Sequence, residues 1–159
     1  MRPSQRAVVR LTTNPVATWW IRNVASRIDP WIFRASGGRL TSFGPPAMPM
    51  LTLATVGRHS GRLRTVQLAC LEAHGDYLVV ASAMGQPRHP AWSLNLEANP
   101  DVEVQMRGER FAARAERLNE ADRDAVWPDV RRAIPQLRVY EQRTDRSIRV
   151  YRLRRVRGD

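Results

Sequence analysis

Residues 51–66 read LTLATVGRHSGRLRTV, and this stretch decides the fold. Leu51 to Val56 has the apolar, β-branched character of a strand. Gly57-Arg58-His59-Ser60-Gly61 stops it, and a second strand restarts at Arg64. The same arrangement returns in residues 79–92, VVASAMGQPRHPAW. There a third strand, Tyr77 to Ala81, runs into the small-residue loop Ser82-Ala83-Met84-Gly85, and a helix follows at Pro90. Two loops rich in Gly, Ser and Arg therefore stand at strand ends. Backbone amides in such loops can point at an anion, and Arg adds charge and a planar fork. The pattern suggests a place where an anionic cofactor lies along a sheet.

Outward from these loops, strands are expected at 50–56, 64–72, 76–82, 101–107, 110–117 and 148–156. Ala73-His74-Gly75-Asp76 and Arg107-Gly108-Glu109 supply tight hairpin connections. A short helix spans His89 to Ala98. A second starts at Asn119, with Asp122 completing a capping box, and is expected to bend or break near Trp127-Pro128 before Ile134. Pro135 opens a last helical turn ending at Tyr140. Strands at short spacing with few helices argue for an α+β chain built on a small, mainly antiparallel β-barrel.

Upstream, residues 1–14 read as a flexible basic arm, and residues 15–156 as one domain. Val16, Trp19, Trp20, Val24 and Ile28 recur at helical spacing. Asp29-Pro30 restarts a short helix carrying Trp31. Residues 39–50, RLTSFGPPAMPM, are too rich in proline for a regular helix. The tryptophan-bearing segment has two compatible readings: a helix packed on the barrel, or an interfacial helix with Trp at headgroup level and Arg on anionic lipid. Residues 15–36 are thus a candidate contact with an anionic membrane.

The chain has 159 residues and a net charge of +11, and all 26 of its basic residues are Arg. Such a chain prefers polyanions, whether phosphorylated ligands, anionic lipid or nucleic acid. Cys70 is the single cysteine and sits in an apolar strand pattern, which fits a core residue and a reducing compartment. No apolar run approaches the roughly 20 residues of a spanning helix. The N-terminus is a poor signal peptide. A cytoplasmic protein is expected, at the inner face of the membrane if the tryptophan helix is interfacial.

Self-sufficient catalysis is not legible. The three histidines share no metal-ligand spacing, so no metal site is expected. Ser60 and Ser82 lack an elbow motif, GRHSG lacks the ending of a P-loop, and no GxGxxG occurs. Any reaction has to be carried by a bound cofactor. Arg58, His59 and Arg64 form a cationic cluster whose bland reading is a solvated hairpin tip. Nucleic-acid binding is disfavoured, because the strands show no stacking aromatics.

Several separated motifs resemble one family. Leu53 to Arg64 is similar to the TTxGRKSGxxR signature of deazaflavin-dependent nitroreductases. Val79 to Ser82, Pro87 to Leu96 and Ala98-Asn99-Pro100 resemble its VVASxGGxxxHPxWYxNLxANP segment. Asn119 to Pro128, Pro135, Tyr140 and Thr144-Asp145-Arg146 resemble its tail.

The resemblance implies a split β-barrel related to FMN-binding oxidoreductases. The implied cofactor is coenzyme F420, an 8-hydroxy-5-deazaflavin with a phospholactyl-oligoglutamate tail. The implied reaction is hydride transfer from reduced deazaflavin to a small lipophilic acceptor, a quinone or a nitroaromatic compound. Arg58, His59, Ser60 and Arg64 would bind the tail. Thr65, Val66, Gln67, Leu68 and Ala69, with Val80, Ala81, Ser82 and Ala83, would line the ring and ribityl chain. Ala91 and Trp92 would pack near the deazaflavin. Tyr140 and Ser82 are the implied catalytic candidates, Tyr140 as a phenol over the substrate side.

The chain departs from the pattern at Ala83-Met84-Gly85, where relatives carry Lys-Gly-Gly, and at Ser93, where Tyr is common. Alternatives are an FMN-dependent oxidoreductase on the same barrel, or a non-catalytic basic module for anionic lipid or nucleic acid. No oligomeric state is implied.

Overall fold

The computed structural model describes residues 48–156 and Ala35. The proposed arm, the tryptophan-bearing helices and most of the proline-rich linker lie outside the described residues.

Alternating side chains build the barrel. In Asp101–Met106 (β4), Val102, Val104 and Met106 are buried while Asp101 and Glu103 face solvent. In Glu109–Arg117 (β5), Phe111, Ala113 and Ala115 are buried between exposed Arg110, Arg114 and Glu116. The other strands are Met50–Val56 (β1), Leu63–Ala73 (β2), Asp76–Val80 (β3) and Val150–Arg155 (β6). All pairs are antiparallel, in the closed order β1-β2-β3-β6-β5-β4. This is the α+β barrel architecture expected, with strand limits shifted by at most two residues. Two hairpins fix the register. His74-Gly75 (φ 54° and 84°) and Arg107-Gly108 (φ 51° and 84°) have the paired positive φ of a type I′ turn, whose twist matches the strands.

β3 buries both of its faces. Tyr77 and Val79 belong to the barrel interior with Leu51, Leu53, Val104, Tyr151 and Leu153. Leu78 and Val80 belong to a second core outside the barrel. That outer core is completed by Trp127 and Val130 of helix Glu120–Ala133 (α2), and by Leu137 and Tyr140 of helix Leu137–Glu141 (α3). Asn119 caps α2 as expected, accepting from the Asp122 amide at 2.8 Å. α2 does not break at Pro128. Pro128 and Asp124, whose carbonyl loses its partner, are both exposed, so water can serve that carbonyl while Trp127 and Val130 anchor the opposite side. Glu141 ties α3 back to α2, accepting from Trp127 Nε1 at 2.9 Å and from Arg131 at 2.8 and 2.9 Å.

Closure positions the site. β4 meets β1 only from Thr52 to Ala54. Thr55 and Val56 are therefore paired to β2 alone, and helix Ala91–Ala98 (α1) packs beside this end of β1. Cys70 is a buried free thiol, and burial pushes its pKa up to about 12, as suits a core residue.

Candidate functional site

The loop from Gly57 to Arg62 closes β1 onto β2 through Gly57 N–H to the Arg62 carbonyl and Gly61 N–H to the Gly57 carbonyl, both 2.8 Å. Its position is set by a buried amide. Asn95, on the inner face of α1, accepts from the Arg58 amide at 3.1 Å and donates Nδ2 to Thr55 Oγ1 at 3.1 Å. Asn95 is 6% exposed and Thr55 1%. Thr55 Oγ1 lies 3.5 Å from the Arg64 carbonyl, the cross-strand residue.

This relay stands at the foot of a cavity of about 490 Å³. The cavity gathers Arg58, His59, Ser60, Arg64, Thr65, Val66, Ala91 and Trp92, together with Thr55, Gly57 and Asn95. Among the described residues, three basic ones line it and no acid does. Trp92 supplies an apolar wall. Its ring meets Tyr151 edge-on at 5.7 Å, and Tyr151 donates its hydroxyl to Glu97 Oε1 at 2.6 Å. Burial, then the Glu97 carboxylate, raise the Tyr151 pKa to about 12, so the phenol stays a donor and holds its ring against Trp92.

Beside it lies a second cavity of about 300 Å³, lined by Ala83, Met84, Gln86, Arg88, His89, Pro90 and Ala91. Ala91 is common to both. The loop at its rim is strained: Ala83 and Met84 have φ of 46° and 56°, and Gly85 follows at 78°. Left-handed backbone costs an L-residue about 1–2 kcal/mol. Arg146 holds the loop, donating Nη2 to the Ser82 carbonyl at 2.8 Å and Nε to the Gln86 carbonyl at 2.9 Å.

A cavity lined, among the described residues, by three cations and no acid suits an anionic cofactor, and likeness to known proteins says which. The sequence profile of the F420H(2)-dependent quinone reductases matches residues 14–154. An F420H(2)-dependent quinone reductase of Mycobacterium tuberculosis is 35% identical over 146 residues, covering 88% of this chain and 98% of that protein. The chain belongs to the F420H2-dependent quinone reductase family. Among solved structures, an F420-H2 dependent reductase is 36% identical with a TM-score of 0.61, covering 66% of this chain and 93% of that one. A domain-swapped dimer is 31% identical with a TM-score of 0.63, covering 86% and 98%. This family member is an F420H2-dependent oxidoreductase, and its cofactor is coenzyme F420.

The residues expected at the site separate into groups. Arg58, His59, Ser60, Arg64, Thr65, Val66, Ala91 and Trp92 converge on the larger cavity. Gln67, Leu68 and Ala69 continue along β2 beyond its lining, half-buried. Val80 and Ala81 are buried in the two cores. Ala83 lines the smaller cavity, and the Ser82 carbonyl accepts from Arg146 and from Gly85 N–H. Tyr140 is 4% exposed, in the outer core, and lines neither cavity.

Asn95, Thr55 and Arg146 went unmarked in the sequence as site residues. Asn95 had a signal: it is a polar residue in the buried stripe Trp92, Asn95, Leu96. Arg146 stood in the Thr144-Asp145-Arg146 motif, but its role was not legible, because its partners lie about sixty residues away. Among the described residues no group of His, Cys, Asp or Glu is arranged to hold a metal ion, and no helix is long and apolar enough to cross a membrane.

Proposed function

We propose that this chain reduces a lipophilic acceptor of the quinone class, with nitroaromatic compounds as a second substrate class, and that the larger cavity is its cofactor site. The observation that carries this is the meeting of Arg58, His59 and Arg64 with Trp92 in one cavity that, among the described residues, no acid lines.

The residues present fit the cofactor. A phosphate and several carboxylates need cations and amides, which Arg58, His59, Arg64 and Ser60 offer. Among the described residues, Gln67 Nε2, next along β2 from the lining residue Val66, is buried with no hydrogen-bond partner. An orphaned donor costs about 1–3 kcal/mol, and the polar edge of a bound ring is the kind of group that satisfies it. The chemistry supplied by the bound cofactor is hydride donation. The chain's own residues bind the tail, present Trp92 as an apolar wall and limit the access of water. Tyr140 and Ser82 act from the acceptor side in this reading, Tyr140 through the Gly85 loop it packs under.

Fluorescence titration with oxidised F420, with FMN in parallel, tests the cofactor site. Saturation by F420 and not by FMN is expected. Arg64→Ala should weaken F420 by about ten- to a hundredfold, the worth of one charge-assisted contact. Unchanged affinity in that variant removes the tail assignment. Consumption of F420H2 on adding a naphthoquinone tests the acceptor class.

Peripheral contact with anionic membrane through residues 15–36, at the cytoplasmic face, completes the reading. Its support is Trp19, Trp20 and Trp31 beside Arg22, Arg27 and Arg34. Replacing the three tryptophans with Ala should lower co-sedimentation with phosphatidylserine vesicles severalfold; equal sedimentation rejects the contact.

A further inference from the structure

The hydrogen bonds of Arg146 leave one atom with a determined role. Its Nη1 lies 3.2 Å from His89 Nδ1. A guanidinium has donors only and keeps its charge, so Nδ1 must be the acceptor. The imidazole proton is then on Nε2. His89 lines the smaller cavity together with its neighbours Arg88 and Pro90 and with Ala83 and Met84. Among the described residues no hydrogen bond occupies Nε2.

We propose that Arg146 is a positioning residue that fixes His89 in its Nε2–H tautomer, and that His89 donates this hydrogen bond to a carbonyl oxygen bound in the smaller cavity. The role of that carbonyl rests on the oxidoreductase reading above; the tautomer does not.

The surroundings agree with a neutral ring. Burial, then Arg149, Arg146 and Arg117, hold the His89 pKa below its ordinary value, and Glu97 opposes them. With three guanidinium groups facing it from the end of β5 and the segment before β6, the ring is a donor through N–H and not a source of protons at neutral pH. That is the chemistry suited to a neutral carbonyl that becomes more negative as hydride arrives. The acceptor gains a hydride and one proton; the proton comes from solvent, and His89 keeps its own. Arg146 makes the arrangement rigid, because the same side chain pins the carbonyls of Ser82 and Gln86 on either side of the strained turn. Two oxygens share the required chemistry, a quinone carbonyl and a carbonyl of the deazaflavin ring.

Long-range proton–nitrogen NMR on the protein without ligand reads the tautomer directly. An unprotonated Nδ1 and a protonated Nε2 are expected for His89. Arg146→Met should mix the tautomers, and Arg146→Lys, which keeps one donor, should restore the first. A wild-type ring protonated on Nδ1, or a tautomer indifferent to Arg146→Met, overturns the positioning role.

Kinetics with menadione and binding of oxidised F420 read the donor role. His89→Ala should lower one of them by about tenfold, and His89→Gln, which retains a donor and an acceptor, should recover part of the loss. A loss confined to kcat/KM assigns the bond to the quinone, and a loss in F420 affinity assigns it to the cofactor. No loss in either overturns the donor. Failure of the wild-type protein to bind F420 at all would instead count against the proposed cofactor site, while leaving the NMR result intact.

Discussion

Replacing Gly85 with Ala should destabilise the protein by about 2–5 kcal/mol, the sum of a backbone term and a packing term. The backbone term comes from φ, which is 78°. The packing term comes from neighbours: a Cβ on residue 85 would stand 2.7 Å from the Tyr140 carbonyl oxygen, 2.7 Å from Arg143 Cβ and 3.1 Å from Tyr140 Cα. Two of these atoms are main chain of α3, so no rotamer change relieves them. Either α3 lifts or the turn from Ser82 shifts, and Ala83 and Met84 on that turn line the smaller cavity.

Gly108→Ala separates the two terms. Gly108 has φ of 84° and, among the described residues, nothing beyond its chain neighbours within 4 Å of the position a Cβ would take, so only the backbone cost of about 1–2 kcal/mol is expected there. Urea unfolding of both variants gives the comparison. Equal losses at the two glycines would mean that α3 yields at no cost and that Gly85 is needed only for its dihedral angle.

The contrast between these glycines also shows what a sequence can and cannot disclose. Gly75 and Gly108 sit in two-residue turns between alternating strands, a local signal that gave both hairpins and their register. The Asn119 cap and Asp122 are likewise three residues apart and readable. Ala83 and Met84 carry no such mark: nothing in their side chains favours positive φ, and they adopt it because Arg146 and the close approach of α3 impose it from a distance. Pro128 shows the opposite case. Of the bend or break it suggested locally, the break does not occur, because the buried Trp127 and Val130 beside it hold the helix through the missing hydrogen bond. At the site, the loop cations were legible because charge and glycine spacing are local. The polar relay behind them was not, because Thr55, Asn95 and Arg64 come from three elements and meet only when the barrel closes.

That relay makes Asn95→Ala the substitution with the broadest consequence. Two hydrogen bonds are lost, to the Arg58 amide and to Thr55 Oγ1, and a buried amide is replaced by a void. A cost of about 2–4 kcal/mol follows from the unmet partners and the lost packing. The functional loss should be larger than that of an ordinary core substitution. Arg58 stands at the start of the loop and Arg64 in β2 just beyond it, and Asn95 is the group that ties the first, directly, and the second, through Thr55, to α1.

Without it the two guanidinium groups lose their common orientation, so F420 affinity should fall at least tenfold even where the protein is fully folded. Arg64→Ala is the complement: an exposed side chain whose loss weakens the cofactor while leaving stability within about 0.5 kcal/mol. Urea unfolding and F420 titration on both proteins therefore place them on different axes. Asn95→Ala with wild-type affinity would show that the loop orients its cations unaided, and the relay would then be a stability device alone.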